Sequence, residues 1–457
     1  MIIELLLVSI ISLFILLWTG RSFKSVVLFL AFFIPFEEFA LKYLPVTDQL
    51  YSLLRYVSEL ILFITLVALI IKRVIEKKPF VKTSVDLPVL IFASTAFLSG
   101  LLNQIPLLEI VLFLRIVLRY YALYLLLVNI ELDMGFTKKL IRGLAFIVTL
   151  QFLIGLSQIF FGTQVNKLLM PRPSILSLGS YSKEWLLIQG LREKGNLVFG
   201  TFGDPVNLGL FIFVIFIVML GVYFVWKKPI KKMWLFFLLS FFTILFTYSV
   251  GLIFTLFISL LFITIIKRKW TLVVSSSFIV LFFFLILTFY PAEFAEVATS
   301  RYAISPFKNF SATLSLTFLE NIQKNRLFTL IEIPRVILSQ SPLFGLGPSW
   351  VLIKSRISNY WLGDVYWAQM LGQVGLIGLL AFLWILKRFY STGLKVYNYS
   401  SDLLEKGVAL GFLGVVVGVL FYDFIGAALE TRPLAFYFWL FAGLIGNWSK
   451  SIPESNL

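Results

Sequence analysis

Three groups of residues in this chain carry side chains that could do chemistry, two of them cationic with glycine-rich turns and the third a carboxylate. The first runs Gly190-Leu-Arg192-Glu-Lys194-Gly and ends in Gly200-Thr-Phe-Gly203-Asp204-Pro205. Glycines let backbone approach a ligand, and a helix opened by Asp204 as N-cap with Pro205 at its first position presents amide hydrogens to an anion. On physical grounds alone the plainer reading is favoured: a capped helix, with Arg192 paired to Glu193 at the surface. The second group holds Arg326, then Glu332-Ile-Pro334-Arg335, then Ser341-Pro-Leu-Phe-Gly345-Leu-Gly347-Pro348. Residues 325–340 are apolar enough for a helix on or dipping into a membrane surface. Arg326 and Arg335 stand nine apart, about 180° around a helix, so an unbroken helix would not show both on one face. Pro334 is expected to break it. Taken singly, each arginine is more often an anchor to headgroup phosphate than a ligand-binding group. A Gly-x-Gly turn is weak evidence for phosphate binding. The third group is Asp364, three residues before Trp367. It suits an N-cap, or a carboxylate that takes a proton from a sugar hydroxyl if burial raises its pKa.

Further charges fall inside or at the ends of apolar runs: Arg55 and Glu59, Glu109, Arg115 and Arg119, and Asp423. Arg55 and Glu59 are i,i+4 and opposite in sign, so mutual neutralisation is expected. Arg115 and Arg119 are also i,i+4, so both can reach one interior partner or one phosphate. Bundle glue is about as good an account of such charges as function.

The elements that must hold these groups are membrane helices. Of 457 residues, 60% are hydrophobic and only 14% charged. A soluble chain would carry roughly a quarter charged residues. Apolar runs recur at about 2–18, 25–40, 53–71, 87–102, 107–128, 144–161, 205–226, 233–248, 251–266, 270–290, 367–386, 407–429 and 434–448. They predict an all-α polytopic membrane protein of twelve or thirteen spans in a single membrane domain over 1–457. The first run lacks a basic leader and a cleavage site, so it is read as a retained span. Basic residues such as Lys72, Arg73, Lys77, Lys78 and Lys138, Lys139, Arg142 mark inner loops. They place the C-terminus in the cytoplasm and explain most of the net charge of +16 without a nucleic acid partner. Two segments then face outward, 162–204 and 291–366. Both are rich in cations that topology does not explain, among them Lys167, Arg172, Lys194, Arg301, Arg326 and Arg335. An anionic ligand would explain them. With no histidine and no cysteine, the commonest general base, the commonest zinc ligand and thiol chemistry are excluded. No repeat of 20–50 residues and no matched halves are visible, which disfavours a transporter or flippase.

With these residues in view, the chain resembles the O-antigen polymerase and ligase superfamily, the Wzy-type polymerases and WaaL-type ligases, over about 192–385. Arg192 through Gly200-Thr-Phe-Gly-Asp-Pro205 is similar to the family's arginine followed by a Gly-Thr-Phe-Gly-Asn-Pro-type turn. Arg326 through Pro342-Leu-Phe-Gly345-Leu-Gly347 is similar to its arginine-led helix ending in Pro-Leu-hydrophobic-Gly-Val-Gly. Asp364-Val-Tyr366 with Gly375-Leu-Ile-Gly378-Leu-Leu is similar to its His/Asp-Asn-x-Tyr…Gly-Leu-x-Gly-Leu segment. The resemblance implies a GT-C-type membrane glycosyltransferase in the bacterial cytoplasmic (inner) membrane, acting at the outer, periplasmic face. Its donor would be a glycan on polyprenyl (undecaprenyl) pyrophosphate, with a chain-length regulator as a possible partner. No cofactor or metal is expected, because cations can hold a departing pyrophosphate. Arg192 and Arg326 map onto the family arginines, with Arg335, Lys194, Arg301, Arg115 and Arg119 as further substrate-binding candidates. The family's ligases resemble one another in a histidine at the position of Asp364. Its absence here favours a polymerase making O-antigen, capsule or exopolysaccharide, with Asp364 acting on the acceptor hydroxyl. A ligase that uses Asp364 instead, transferring glycan to a lipid A core of lipopolysaccharide, is the alternative.

Overall fold

Among the described residues all regular structure is helical. The computed structural model describes residues 22–44, 47, 50, 51, 54–170, 198–226, 232–247, 249–268, 328–349 and 365–452. The expected spans at 2–18 and 270–290 lie outside these residues.

The helices are α1 (Phe23–Phe33), α2 (Glu37–Lys42), α3 (Val57–Ile75), α4 (Asp86–Leu102), α5 (Leu107–Leu118), α6 (Tyr121–Asn129), α7 (Met134–Phe161) and α8 (Thr163–Leu169). There follow α9 (Pro205–Val225), α10 (Lys232–Phe246), α11 (Val250–Ile266), α12 (Phe328–Gln340), α13 (Tyr366–Tyr399), α14 (Leu403–Tyr422) and α15 (Arg432–Ser449). Four of them, α7, α9, α13 and α14, are long and apolar enough to cross a membrane, and α5 with α6 makes a fifth if counted as one bent span. Local chemistry sets several starts: the Asp133, Asp204 and Asp402 side chains accept amide hydrogens at the first turns of α7, α9 and α14.

Helix α9 is apolar on every face and lies at the centre of the core, with Leu208 and Leu210–Val218 almost wholly buried. It packs tightly along α14 because both helices offer glycine at the crossing. A Cβ on Gly221 would overlap the Gly407 carbonyl and the Gly411 backbone, and one on Gly411 would overlap the Val218 backbone. Between membrane helices, where apolar burial adds no drive, such backbone proximity supplies the packing.

Three expectations need correction. The run at 25–40 is divided at Pro35, where a one-turn 3-10 helix, Ile34–Phe36, separates α1 from α2. The run at 107–128 is bent by 51° at Arg119 and Tyr120. Pro334 does not break α12, which runs through it. Ile333 and Ile337, on either side of the proline, are fully buried with Leu346, Val365 and Ala368, and this packing offsets the hydrogen bond the proline removes.

Candidate functional site

The Gly200–Asp204 turn is built onto α7 and α9. Two glutamines on one face of α7 hold it. Gln158 Oε1 accepts from the amides of Phe199 (3.2 Å) and Gly200 (2.8 Å), while its Nε2 donates to Asn166 Oδ1 (2.8 Å). Gln151 Oε1 accepts from the Thr201 amide (3.1 Å), its Nε2 donates to Thr201 Oγ1 (2.6 Å), and that hydroxyl donates to the Pro35 carbonyl. Gly200 needs its positive φ of 55° and has no room for a side chain against Gln151. At the start of α9, Asp204 Oδ1 accepts from the Val206 (2.7 Å) and Asn207 (3.2 Å) amides. Asp204 therefore caps the helix, as both readings expect. Arg192 and Lys194, which precede this turn, lie outside the described residues.

The second glycine turn docks on a broken helix. Inside α13, Gly375 adopts φ 66° and ψ −168°, which interrupts the helical hydrogen bonds. Four backbone groups beside the break find partners outside the helix. The Leu376 and Ile377 amides donate to the carbonyls of Pro342 (2.9 Å) and Leu343 (3.2 Å). The Gly372 carbonyl accepts from the Leu346 amide (2.8 Å), and the Gln373 carbonyl from Ser99 Oγ on α4 (2.8 Å). Asn103 Nδ2 adds a bond to the Gly345 carbonyl (3.1 Å). A side chain on Gly345 would strike the backbone of Gly372–Gly375. The glycines of this turn thus serve backbone contact between two segments. Arg335, on α12, is exposed and donates to Glu332 Oε1 at 2.6 Å. Arg301, Arg326 and Asp364 lie outside the described residues.

The third assembly is an arginine-rich cluster at the bend between α5 and α6. Glu59, in the first turn of α3, lies at its centre. Arg115 donates to Glu59 Oε2 through Nε (3.0 Å) and through Nη2 (2.7 Å). Arg119 Nε stands 3.4 Å and Arg432 Nε 3.8 Å from Glu59 Oε1. Arg432, at the start of α15, also donates through Nη2 to Glu37 Oε1 (3.0 Å) and Ser58 Oγ (2.7 Å). The Arg55–Glu59 pairing expected from their spacing is not formed. Arg55 turns instead to Glu38 (2.9 Å), because Arg115 and Arg119 occupy the Glu59 carboxylate from inside the bundle. The i,i+4 arginines do share one interior partner, as their spacing allows. Burial is graded: the side chains of Glu37 and Glu59 are 3% and 4% exposed, against 12% for Arg119, 18% for Arg432, 27% for Arg115 and 40% for Arg55.

Asp423 closes the same end of the bundle. Its carbonyl accepts from the Tyr366 amide at the start of α13 (2.9 Å), and its Oδ1 from the Ala428 amide (2.8 Å). The Ala428 carbonyl in turn accepts from Thr431 Oγ1 (2.6 Å), one residue before Arg432. Asp423 Oδ2, the Tyr366 hydroxyl and Gln373 Oε1 are buried without a hydrogen bond. Sequence reasoning missed Glu37 and Arg432 as members of the arginine cluster. A carboxylate pair closing one span and an arginine opening another were the available signal. Among the described residues no group of three or more carboxylates is arranged to hold a metal ion. No protein-family model matches the chain, and comparison with curated proteins gives no match.

Proposed function

We propose that the chain is an integral-membrane glycosyltransferase that polymerises polysaccharide repeat units carried on polyprenyl diphosphate, at the outer face of a bacterial cytoplasmic membrane. The observation that carries this reading is the union of α12 and α13. Arg326 lies two residues before α12 and Asp364 two before α13. The two helices are joined by the backbone contacts at Gly345 and Gly375 and by the apolar cluster of Ile333, Ile337, Val365 and Ala368. A donor-side arginine and an acceptor-side carboxylate are thereby tethered to helices that pack against each other, as a two-substrate transfer requires.

In the proposed reaction, Arg192 and Arg326 grip the donor diphosphate through forked, charge-assisted hydrogen bonds. The acceptor hydroxyl attacks the anomeric carbon on the face opposite the diphosphate. The C–O bond to the diphosphate breaks, its electron pair leaves on phosphate oxygen, and the anomeric centre inverts. Asp364 takes the hydroxyl proton, or orients the hydroxyl while the proton passes to water. Lys194, Arg301 and Arg335 are further candidates for binding the diphosphate and the glycan.

The test is complementation of a deletion strain. Arg192→Ala and Arg326→Ala should each abolish long-chain polymer while membrane expression persists. Normal polymer in both would overturn the assignment. Purified protein given only a polyprenyl-diphosphate glycan should yield a ladder. Transfer only to a separate acceptor would show a ligase.

A further inference from the structure

The cluster around Glu59 has properties that a closed network of ion pairs would lack. Among the described residues, four guanidiniums (Arg55, Arg115, Arg119, Arg432) meet three carboxylates (Glu37, Glu38, Glu59). The cluster so carries more positive charge than it neutralises, in a bundle interior where unmatched charge is costly. Hydrogen bonding is unmatched as well. Glu59 Oε1, Arg119 Nε and Arg432 Nε are buried with no hydrogen bond, and the Arg119 and Arg432 approaches of 3.4 and 3.8 Å are too long for good ones. One carboxylate cannot serve three forked donors. A tetrahedral group with three or more oxygens can.

The burial gradient points the same way. Glu37 and Glu59 lie innermost, and Arg55 and Arg115 are the most exposed members, with Glu38 between, so an arriving group meets guanidinium first. Arg115 is also held face-on over the Tyr56 ring, 4.2 Å from its centroid, which fixes its direction. Arg119 is the last residue with helical backbone angles (φ −43°, ψ −46°) before the bend of the α5–α6 pair, which falls at Tyr120 (φ −106°, ψ 13°).

We infer that this cluster binds a phosphate or diphosphate group, which enters past Arg55 and Arg115 and draws Arg119 and Arg432 off Glu59. The group can be the headgroup of a lipid or a soluble phosphate. Arg115 and Arg119 are among the substrate-binding candidates that the resemblance implies, but the cluster's charge and unmatched hydrogen bonds carry the inference, and none of the cluster's residues is Arg192, Arg326 or Asp364.

The test uses the full chain in phosphatidylcholine nanodiscs, titrated with inorganic diphosphate. Parallel arms use a short-chain polyprenyl diphosphate and nanodiscs doped with phosphatidylglycerol. Saturable binding is expected, and Arg115→Gln should weaken it by about tenfold or more, the effect of losing a charge-assisted bond. Glu59→Gln removes the competing carboxylate and should tighten binding, a change of opposite sign that a merely structural cluster would not produce. Binding of the lipid-borne probes alone, with the same dependence on Arg115, assigns a lipid source. Binding of soluble diphosphate assigns the phosphate group by itself. Should Glu59→Gln fail to fold, Arg115→Gln decides alone, since Arg119 and Arg432 still face Glu59. Absence of binding by every probe, or binding indifferent to Arg115→Gln in a protein of unchanged thermal midpoint, overturns the inference.

Discussion

Glu37 is held by Arg432, and both side chains are largely withdrawn from the surface. Removing one partner of such a pair leaves the other charge buried without a counterion, at a cost of about 3–5 kcal/mol. Arg432→Ala should therefore lower the thermal unfolding midpoint of the detergent-solubilised protein markedly. Arg335→Ala removes an exposed partner of Glu332 and should leave the midpoint unchanged. A fall in both, or in neither, would show that burial does not govern these pairs. The two arginines also show what one-dimensional reading can find. Arg115 and Arg119 were recognisable as a pair because their spacing puts both on one helix face. The Arg432–Glu37 contact joins residues 395 apart, and no local periodicity encodes it. Arg55 was assigned the wrong partner for the complementary reason. Glu59 was the nearest carboxylate along the helix, but the bundle supplied Arg115 and Arg119 from another element.

At the scale of elements, glycine positions divide into those needed for conformation and those needed for space. Gly162, closing α7 at φ 47°, has nothing within 4 Å of where a side chain would start, so Gly162→Ala meets backbone strain alone, about 1–3 kcal/mol. Gly375 combines positive φ with direct contact to the Leu343 carbonyl and the Gly345 amide. Gly375→Ala should cost more than Gly162→Ala, read as the difference in thermal midpoint, and an equal or smaller loss would show that the turn at 341–349 yields easily. The Gly-x-Gly turn was legible as a turn, but its purpose was not, since the backbone it must touch lies about thirty residues away. Pro334 fails as a helix breaker for a similar reason. Its rule is local, and the burial of Ile333 and Ile337 that overrides it comes from α13. By contrast, the Asp204 cap was read correctly because its partners, the Val206 and Asn207 amides, are neighbours in the chain.

Across the whole molecule, composition was sufficient to predict an all-helical membrane chain, because hydropathy sums over any arrangement of helices. It did not reveal where helices would bend or which would meet. The meeting of α9 and α14 depends on Gly221, Gly407 and Gly411 coinciding at one crossing. Gly411→Leu should force these helices apart and remove the protein from the membrane fraction, checked by immunoblot against wild type. Normal accumulation would mean the crossing tolerates separation. The interruption at Gly375 has a further consequence, in the order of synthesis. Its partners Ser99, Asn103, Pro342, Leu343 and Leu346 all precede α13 in the chain. A ribosome making this protein delivers the acceptors and donors for the broken turn before the break itself emerges. A span that cannot satisfy its own backbone thus enters the membrane after the residues that complete it have been made.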